Sequence, residues 1–351
     1  MALTQSQRSL IEKVRVLGAG ADGLVLTDEV CSYLLAVIVS DLGLGAKFPE
    51  ILLPVPGFFS TADIERLTVA GLEFEALVER LFTLDRNADT YFACIASLHN
   101  RRLKYQRILR CQPIPTIDQV GPRGLLQFGS LSPRALGALL YWRKWLYDID
   151  NRAAQETGYL FEPIIAYAIG GAPVSATQSP IKREGDGSKG RQVDCILKKR
   201  AYEFKMRVTI AASGQGRWGE ELQFPHECRL SGFVPVLVVL DPTPNPKLAA
   251  LTKAFLAERG EVYTGAKAWE HLDGLAGPTM ARFLETYVRG PIEALLNEAS
   301  DTLPELSLAM RDGTIVISVN GEHLVIQRQP GGVPADEDDL PDDAADALPG
   351  P

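Results

Sequence analysis

The sequence predicts an α/β (α+β) protein, with a mixed central β-sheet flanked by helices and a mostly helical N-terminal region. Three observations predict this class. Residues 193–208 alternate apolar and polar side chains as two short strands, residues 234–240 form a nearly continuous apolar run, and residues 151–169 have a helical pattern. Alternation with a period of two is typical of half-buried strands, whereas a short continuous apolar run is typical of a strand covered on both faces. A sheet with helices packed on it follows.

The N-terminal region, residues 1–130, is predicted to be mostly helical and is a candidate for DNA binding or dimerisation. Apolar side chains recur at spacings near 3.6 from Ile64 to Leu81, and residues 60–63 offer a helix cap. A second helical pattern runs from Leu131 to Asp148, and its Trp142 and Trp145 are predicted to lie in the core.

The segment from Asp194 to Lys205 carries the strongest chemical signal in the chain. Asp194 precedes Glu203 by nine positions, and Glu203 lies two residues before Lys205 on one alternating strand. A period of two puts Glu203 and Lys205 on the same face of that strand. The polar residues 198–200 form a predicted turn, so the two strands read as a hairpin that brings Asp194 close to Glu203.

Two carboxylates and one ammonium group on a single sheet face suit a hard divalent cation. Magnesium takes oxygen ligands and is often held by one or two carboxylates together with substrate phosphate oxygens. A lysine beside such a site can orient the attacking water or stabilise charge on a phosphate. The pattern therefore favours metal-assisted hydrolysis of a phosphodiester. The alternative is an ordinary solvated face of two paired strands, with Asp194 in a nearby turn.

At these positions the chain resembles the PD-(D/E)xK nuclease superfamily, whose signature is an Asp at a strand start and Glu-x-Lys on the next strand. Asp194, Glu203 and Lys205 match this signature residue by residue, although Val193 stands where the motif has Pro. Residues 151–242 as a whole resemble the catalytic core of a type II restriction endonuclease. The resemblance covers roughly a quarter of the chain.

This resemblance implies an enzyme that cuts double-stranded DNA at a short specific site. It further implies Mg²⁺ bound by Asp194, Glu203 and the carbonyl oxygen of Phe204, with Lys205 positioning the water. A homodimer is implied because two-fold symmetric DNA sites are usually read by two-fold symmetric proteins. Superfamily members often carry a further acidic residue on the helix before the Asp strand, so Glu162 is the first candidate and Glu156 the second. The alternative for Glu162 is a solvated helix charge.

Candidate DNA contacts lie in three segments. Arginine pairs with guanine and glutamine with adenine in the major groove, so Gln215 and Arg217 in a predicted loop are candidates for base recognition, and Arg229 is a weaker one. A glycine-rich loop that caps the next helix is the alternative. Residues 99–110 carry five basic residues and no acidic residue, and the predicted phosphate contacts there are Arg101, Arg102 and Lys104; Arg191, in the basic loop 181–191, is another. Solvated surface positions are the alternative for all four.

Charge and composition bound the partners. The formal net charge is −8, but residues 336–346 hold seven of the 44 acidic residues, which leaves 37 against 36 basic residues. The folded part is therefore nearly neutral, and a locally basic cleft is allowed. The expected division is the N-terminal region at 1–130, a core at 131–300 that the resemblance makes the nuclease core, a β-hairpin region at 301–331 and an acidic tail at 332–351 whose composition predicts disorder.

Other features exclude several classes. The five cysteines form no C-x-x-C pair, and no apolar run is long enough for a membrane span, so a cytoplasmic bacterial protein without a membrane partner is expected. Gly18, Gly20 and Gly23 fit a dinucleotide fingerprint, but a strand-like segment follows where a helix is required, so no nucleotide cofactor is expected. The alternative functions are a structure-specific repair or junction-resolving nuclease and a non-catalytic DNA-binding protein on the same fold.

Overall fold

The computed structural model describes residues 3–17, 24–60, 63–206, 215–241, 243–298 and 302–329. The α-helices are α1 (Gln5–Arg15), α2 (Asp28–Asp41), α3 (Phe74–Leu84), α4 (Ala88–Cys111), α5 (Ile117–Val120), α6 (Pro133–Ala168), α7 (Gln215–Leu230), α8 (Pro246–Ala257), α9 (Ala266–Leu284) and α10 (Gly290–Asn297). Short 3₁₀ segments lie at Gly45–Lys47, Ile64–Arg66 and Gly121–Gln127, and a π-helical segment lies at Glu285–Arg289. The predicted glycine turn at 18–23 and the predicted acidic tail at 332–351 lie outside the described residues.

The strands are β1 (Ala172–Val174), β2 (Lys182–Arg183), β3 (Asp186–Gly190), β4 (Val193–Leu197), β5 (Arg200–Lys205), β6 (Val234–Val239), β7 (Glu261–Thr264), β8 (Leu306–Arg311), β9 (Thr314–Val319) and β10 (Glu322–Gln327). Five of them form the central sheet in the order β1-β4-β5-β6-β7. β1, β4 and β5 pair antiparallel, whereas β5, β6 and β7 pair parallel. The predicted mixed sheet and the predicted β4–β5 hairpin are both confirmed.

Apolar side chains cover both faces of the central sheet. On one face Tyr202 and Phe204 join a large core cluster that contains residues of α4, α6 and α9. On the other face Leu237 packs with Phe224 of α7 and Phe255 of α8. The prediction that residues 234–240 form a strand buried on both faces is thus confirmed.

The N-terminal helices belong to the same core as the sheet. Leu34 and Ile38 of α2 and Phe92 and Ile95 of α4 are fully buried in the cluster that also contains Phe204. The predicted helical N-terminal region is therefore confirmed, and it supplies one of the layers that cover the sheet. Although α4 and α6 are long, none of the described helices is long and apolar enough to cross a membrane.

The predicted helix between Ile64 and Leu81 is wrong in its first half. Asp63 accepts a hydrogen bond from the backbone N–H of Glu65, which starts a single 3₁₀ turn, and α3 begins only at Phe74. Gly71 has φ +77°, a conformation that interrupts a right-handed helix. The apolar periodicity misled because Ile64 and the other buried residues of this segment still face the core.

The two helical patterns predicted for residues 131–148 and 151–169 form one helix of 36 residues, α6. Ser132 caps its first turn by accepting from the backbone N–H of Ala135, and Trp145 is buried as predicted. Pro163 lies inside the helix, where its missing N–H removes one rung of the hydrogen-bond ladder. The helix continues beyond that point and ends at the central sheet.

A three-stranded antiparallel sheet, ordered β10-β9-β8, follows the π-helical segment and α10. The β-hairpin predicted within residues 301–331 is present as β9 and β10, and its turn is Asn320–Gly321, with φ of 49° and 87° at these two residues. β8 was not predicted, although Asp312–Gly313 forms the same kind of turn, with φ of 48° and 74°. Ile315 and Ile326 pack this sheet against Trp145 of α6 and Ile108 of α4.

Removal of the Phe255 ring from the core beneath the central sheet should destabilise the protein strongly. Phe255→Ala is expected to lower the free energy of unfolding by about 3–5 kcal/mol, since Phe255 is 0% exposed. Leu256→Ala is the matched control, because its side chain is 56% exposed and should cost less than about 0.5 kcal/mol. Urea unfolding followed by circular dichroism measures both, and equal losses for the two variants would contradict the described packing.

Candidate active site

The β4–β5 hairpin brings the two predicted carboxylates together. The register pairs Cys195 with Tyr202, and its extension by one pair sets Asp194 opposite Glu203. Directly opposite residues of an antiparallel pair project from the same face of the sheet. Asp194 is 9% exposed, and its Oδ2 accepts a hydrogen bond of 2.8 Å from the backbone N–H of Phe204. The backbone of the Glu-x-Lys strand thus fixes the orientation of the Asp194 carboxylate.

Lys205 lies on the same face and contacts two carboxylates. Its Nζ is 2.8 Å from Oε1 of Glu203 and 3.5 Å from Oε1 of Glu221. Glu203 and Lys205 are both half-buried, which agrees with the predicted shared face. Glu221 comes from α7 and was not predicted, because nothing in its local sequence pattern separates it from Glu220.

Burial shapes the protonation of this cluster. Burial, with the nearby charges of Glu203 and Glu162, raises the pKa of Asp194 well above its ordinary value. Burial also raises the pKa of Glu162 to about 7, with a further upward contribution from Glu203 and a downward one from Lys205. These mutual effects place Glu162 of α6 near Asp194, Glu203 and Lys205. The first of the two predicted helix candidates is therefore the one that lies near the cluster.

Lys205 retains its proton in this surrounding. Burial by itself lowers the pKa of Lys205, but the carboxylates of Glu203, Asp194 and Glu221 outweigh burial and raise it above its ordinary value. The ammonium group therefore acts as a hydrogen-bond donor and a positive charge. Among the side chains that the structure describes, the Lys205 ammonium group stands against the carboxyl groups of Asp194, Glu203, Glu162 and Glu221, so negative charge exceeds positive charge there.

The donor set fits a magnesium ion. Within the part of the chain that the structure describes, no group of three His, Cys, Asp or Glu side chains is already gathered as a metal site. A magnesium site needs fewer protein ligands, because the ion keeps several waters and commonly binds one or two carboxylates. Asp194 and Glu203 supply those carboxylates, and the Phe204 carbonyl is a third oxygen on the strand. Their burial together with Glu162 is the arrangement that a divalent cation would neutralise.

Glu156, the second helix candidate, has a different environment. It is 5% exposed and lies in ion pairs with Arg101 and Lys104 of α4, with 3.2 Å between Lys104 Nζ and Glu156 Oε1. This buried ion cluster, Arg101–Lys104–Glu156, connects α4 to α6. Lys104 is itself only 4% exposed, so it could reach a DNA phosphate only if the pair with Glu156 opened.

The basic helix α4 borders a cleft of about 720 Å³ between α4, α6 and β10. Arg101, Arg102 and Gln106 line one side, and Phe161, next to Glu162, lies on the opposite side. Arg102 donates to the carbonyl of Phe58 and stacks over its ring. Two of the predicted phosphate contacts of α4, Arg101 and Arg102, thus line this cleft, Lys104 lies on the same helix, and all three hold protein partners.

The other predicted DNA contacts lie on or beside α7. Arg191 is 8% exposed and pairs with Glu227 of α7, with 3.0 Å between Nη1 and Oε2. Gln215 and Arg217 occupy the first turn of α7 and not a loop, and their side chains lie outside the described residues. Arg229 is exposed near the C-terminal end of the same helix. Base contacts by these residues stay a prediction, whereas Arg191 is held inside the protein.

Comparison with known proteins adds an independent finding. A family model described as "ApaLI-like restriction endonuclease" matches residues 62–289, which include the central sheet and the residues Asp194, Glu203 and Lys205. The "Type II restriction enzyme ApaLI" of Acetobacter pasteurianus is 46% identical to this chain over 289 residues, which is 78% of this chain and 77% of that protein. No solved structure matches the chain.

Loss of charge should lower the stability of the protein at one α6 glutamate, Glu156, and not at the other, Glu162. Glu156→Gln is expected to lower the free energy of unfolding by about 3–5 kcal/mol, because it leaves two buried cations without their anion. Glu162→Gln is the matched comparison, and no loss of stability is expected without metal, because it removes one of several mutually repelling carboxylates. Chemical unfolding in EDTA measures both. A greater loss for Glu162→Gln than for Glu156→Gln would contradict these assignments.

Proposed function

The chain belongs to the ApaLI-like restriction endonuclease family, and we propose that it hydrolyses double-stranded DNA at a short specific site in a magnesium-dependent reaction. The observation that carries this proposal is the catalytic cluster. Asp194 and Glu203 face each other across the hairpin, and Lys205 lies 2.8 Å from Glu203. These are the groups that metal-assisted phosphodiester hydrolysis requires.

Asp194, Glu203 and the Phe204 carbonyl would hold the cation. When bound, magnesium supplies Lewis-acid activation of the attacking water and neutralises charge on the phosphate. The hydrogen bond from the Phe204 N–H keeps one Asp194 oxygen occupied, so the other oxygen is the one available to a ligand. The sheet backbone thereby sets the direction in which Asp194 presents its free oxygen.

Lys205 contributes a fixed positive charge. Because it keeps its proton, its Nζ can donate to the attacking water or to a phosphate oxygen and stabilise the charge that builds up during attack. The water oxygen loses a proton and forms a bond to phosphorus while one bridging phosphorus–oxygen bond breaks, and the leaving oxygen takes up a proton from solvent, so that one water is consumed. Glu162, with a pKa near neutrality, is the additional acidic residue of the site.

DNA would enter along the basic cleft and reach the first turn of α7. Arg101 and Arg102 border the cleft, so they are the proposed contacts to the DNA backbone. Gln215 and Arg217 are the proposed contacts to base edges, because their side-chain types pair with adenine and guanine in the major groove. α7 also carries Glu221 at the catalytic cluster, which puts proposed recognition and chemistry on one helix.

A homodimer is the proposed working form, because a two-fold symmetric DNA site is matched by a two-fold symmetric protein. One surface supports self-association. Leu125, Leu126 and Phe128 are 74%, 101% and 72% exposed on and just after the 3₁₀ segment Gly121–Gln127. Exposed apolar patches of this kind mark interaction surfaces. A bacterial cytoplasm is the proposed location, and all five cysteines are free and buried, as a reducing compartment allows.

The family match and the intact triad favour restriction cleavage over the two alternative functions. A structure-specific nuclease would cut plasmid DNA without fixed fragments, and a non-catalytic DNA-binding protein has no need for a buried carboxylate cluster with a lysine. A fixed fragment pattern therefore separates the first alternative, and magnesium-dependent cleavage separates the second.

Substitution within the triad of Asp194, Glu203 and Lys205 should slow cleavage strongly and leave the fold intact. Asp194→Asn and Lys205→Ala are each expected to slow cleavage of plasmid DNA at least about 100- to 1,000-fold, because each removes a charge from the reacting centre. Lys253→Ala, an exposed position on α8, is the matched control and should cleave like the wild type. Gel analysis of the fragments measures the rates.

The same assay tests the metal. EDTA is expected to stop cleavage, and added Mg²⁺ is expected to restore it with the same fragment pattern. The proposal fails if wild-type protein gives no fixed fragments with Mg²⁺, or if cleavage survives both triad substitutions.

Arg217→Ala should weaken sequence-specific binding. Loss of one base-edge contact is expected to cost about 1–3 kcal/mol toward a duplex that carries the cleavage site mapped on plasmid DNA, with little change toward random DNA. Arg311→Ala, an exposed position on β8, is the control. Gel-shift titration with Ca²⁺ in place of Mg²⁺ measures both, and equal weakening on both DNAs would indicate a phosphate contact instead.

A further inference from the structure

Besides Glu162, the site contains a second carboxylate outside the Asp and Glu-x-Lys motif, and the sequence pattern did not predict it. Glu221 lies on α7, and its Oε1 is 3.5 Å from Nζ of Lys205. Glu203 makes the shorter contact with the same nitrogen, at 2.8 Å. The side chain of Glu221 is 31% exposed and that of Lys205 is 23% exposed, so their contact forms at the edge of the cluster where substrate would arrive.

The backbone of α7 is broken at the turn that carries Glu221. Pro225 has no N–H, so the helix lacks the bond that would normally run from residue 225 to the carbonyl of Glu221. Arg191 supports the backbone at this point, because its Nη2 donates to the carbonyl of Glu220 at 2.6 Å. Near Pro225, α7 thus lacks one backbone hydrogen bond of its own and accepts one from the Arg191 side chain outside the helix.

Arg191 holds α7 on both sides of Pro225. Its Nη1 donates to Oε2 of Glu227 at 3.0 Å, and the other Glu227 oxygen accepts from the backbone N–H of Glu184 at 3.0 Å. Arg191 is 8% exposed and Glu227 is 2% exposed, so this pair is protected from water. We refer to Arg191, Glu227 and the Glu220 carbonyl as the α7 clamp. Because Arg191 lies three residues before Asp194, the clamp ties α7 to the start of the catalytic strand.

The contact between Glu221 and Lys205 has a specific use in the proposed reaction. Glu203 is a proposed ligand of the cation. A Glu203 oxygen that binds the cation makes a weaker ion pair with the Lys205 ammonium group. Glu221 has no such second task, so it can keep the ammonium group in place. We propose that Glu221 is a positioning residue for Lys205 and that the α7 clamp sets its location; the inference rests on the proposed magnesium-dependent cleavage.

If Glu221 positions Lys205, loss of Glu221 should slow cleavage and leave DNA binding unchanged. Without Glu221, Lys205 depends on Glu203 alone and competes with the cation for that carboxylate. Glu221→Gln is therefore expected to slow single-turnover cleavage about 10- to 100-fold and to raise the half-saturating Mg²⁺ concentration by a similar factor, as loss of residues that support metal ligands commonly does. DNA affinity measured without Mg²⁺ should stay within about two-fold of the wild type, because a positioning residue of this kind does not contact DNA.

Glu220→Gln is the matched control. It removes the same charge from the neighbouring position of α7, but its side chain pairs with Arg183 at 3.1 Å and not with Lys205. The substrate is a duplex that carries the cleavage site mapped on plasmid DNA. Binding of Mn²⁺ alone, measured by calorimetry without DNA, gives a second readout that does not depend on turnover. We expect weaker Mn²⁺ binding for Glu221→Gln than for Glu220→Gln and a normal melting temperature for both.

A double-mutant cycle tests the clamp. Arg191→Lys cannot make both hydrogen bonds of the guanidinium group, so it should slow cleavage in the wild-type background and have little further effect in the Glu221→Gln background. Additive losses would overturn the role of the clamp.

Two failures can be told apart. Wild-type protein without Mg²⁺-dependent cleavage would refute the proposed function itself. Wild-type cleavage that Glu221→Gln matches within about two-fold, with equal Mn²⁺ binding, would refute the role of Glu221 alone. An equal loss of rate in Glu221→Gln and Glu220→Gln would also refute it, since a general charge effect would then explain the result.

Discussion

The candidate active site depends on the removal from water of several like charges beside Lys205. Asp194, Glu203 and Glu162 come from three different elements, and burial raises the pKa of Asp194 and of Glu162. Carboxylates so placed repel one another unless cations compensate them. The mixed sheet, α6 and α7 converge around Lys205, and each supplies a carboxylate to it. The mixed sheet, α6 and α7 therefore hold these carboxylates close together although their charges repel.

The parts of the fold that the sequence predicted are those that local pattern determines. The hairpin of β4 and β5 and the buried strand β6 follow from side-chain alternation and apolar content alone. The helix predicted to begin near Ile64 failed, because buried side chains can recur at helical spacing along an irregular segment interrupted by Gly71. The missed strand β8 had an available signal in Asp312–Gly313, which marks a tight hairpin turn.

In the candidate active site, too, the residues set by local sequence pattern could be predicted and those set by packing could not. Asp194, Glu203 and Lys205 could be chosen from spacing because two strands and one turn fix their relation. The contact of Glu221 with Lys205 depends on the packing of α7, 16 residues further on, and no sequence pattern specifies it. Arg191 misled for a related reason. A basic residue in a glycine-containing loop reads as a surface charge, whereas its partner Glu227 lies 36 residues away in sequence.

The ion cluster of Arg101, Lys104 and Glu156 would set an energetic threshold for the proposed binding of DNA. If Arg101 and Lys104 bind phosphates, they must first leave Glu156, and opening a buried pair costs about 3–5 kcal/mol. A weak encounter with random DNA gains too little to open it, whereas a correctly seated duplex gains the extra contacts of its specific site. Random DNA would then stay bound for a shorter time than DNA that carries the specific site. An ion pair that holds α4 to α6 in the free protein would also discriminate between sequences without touching a base.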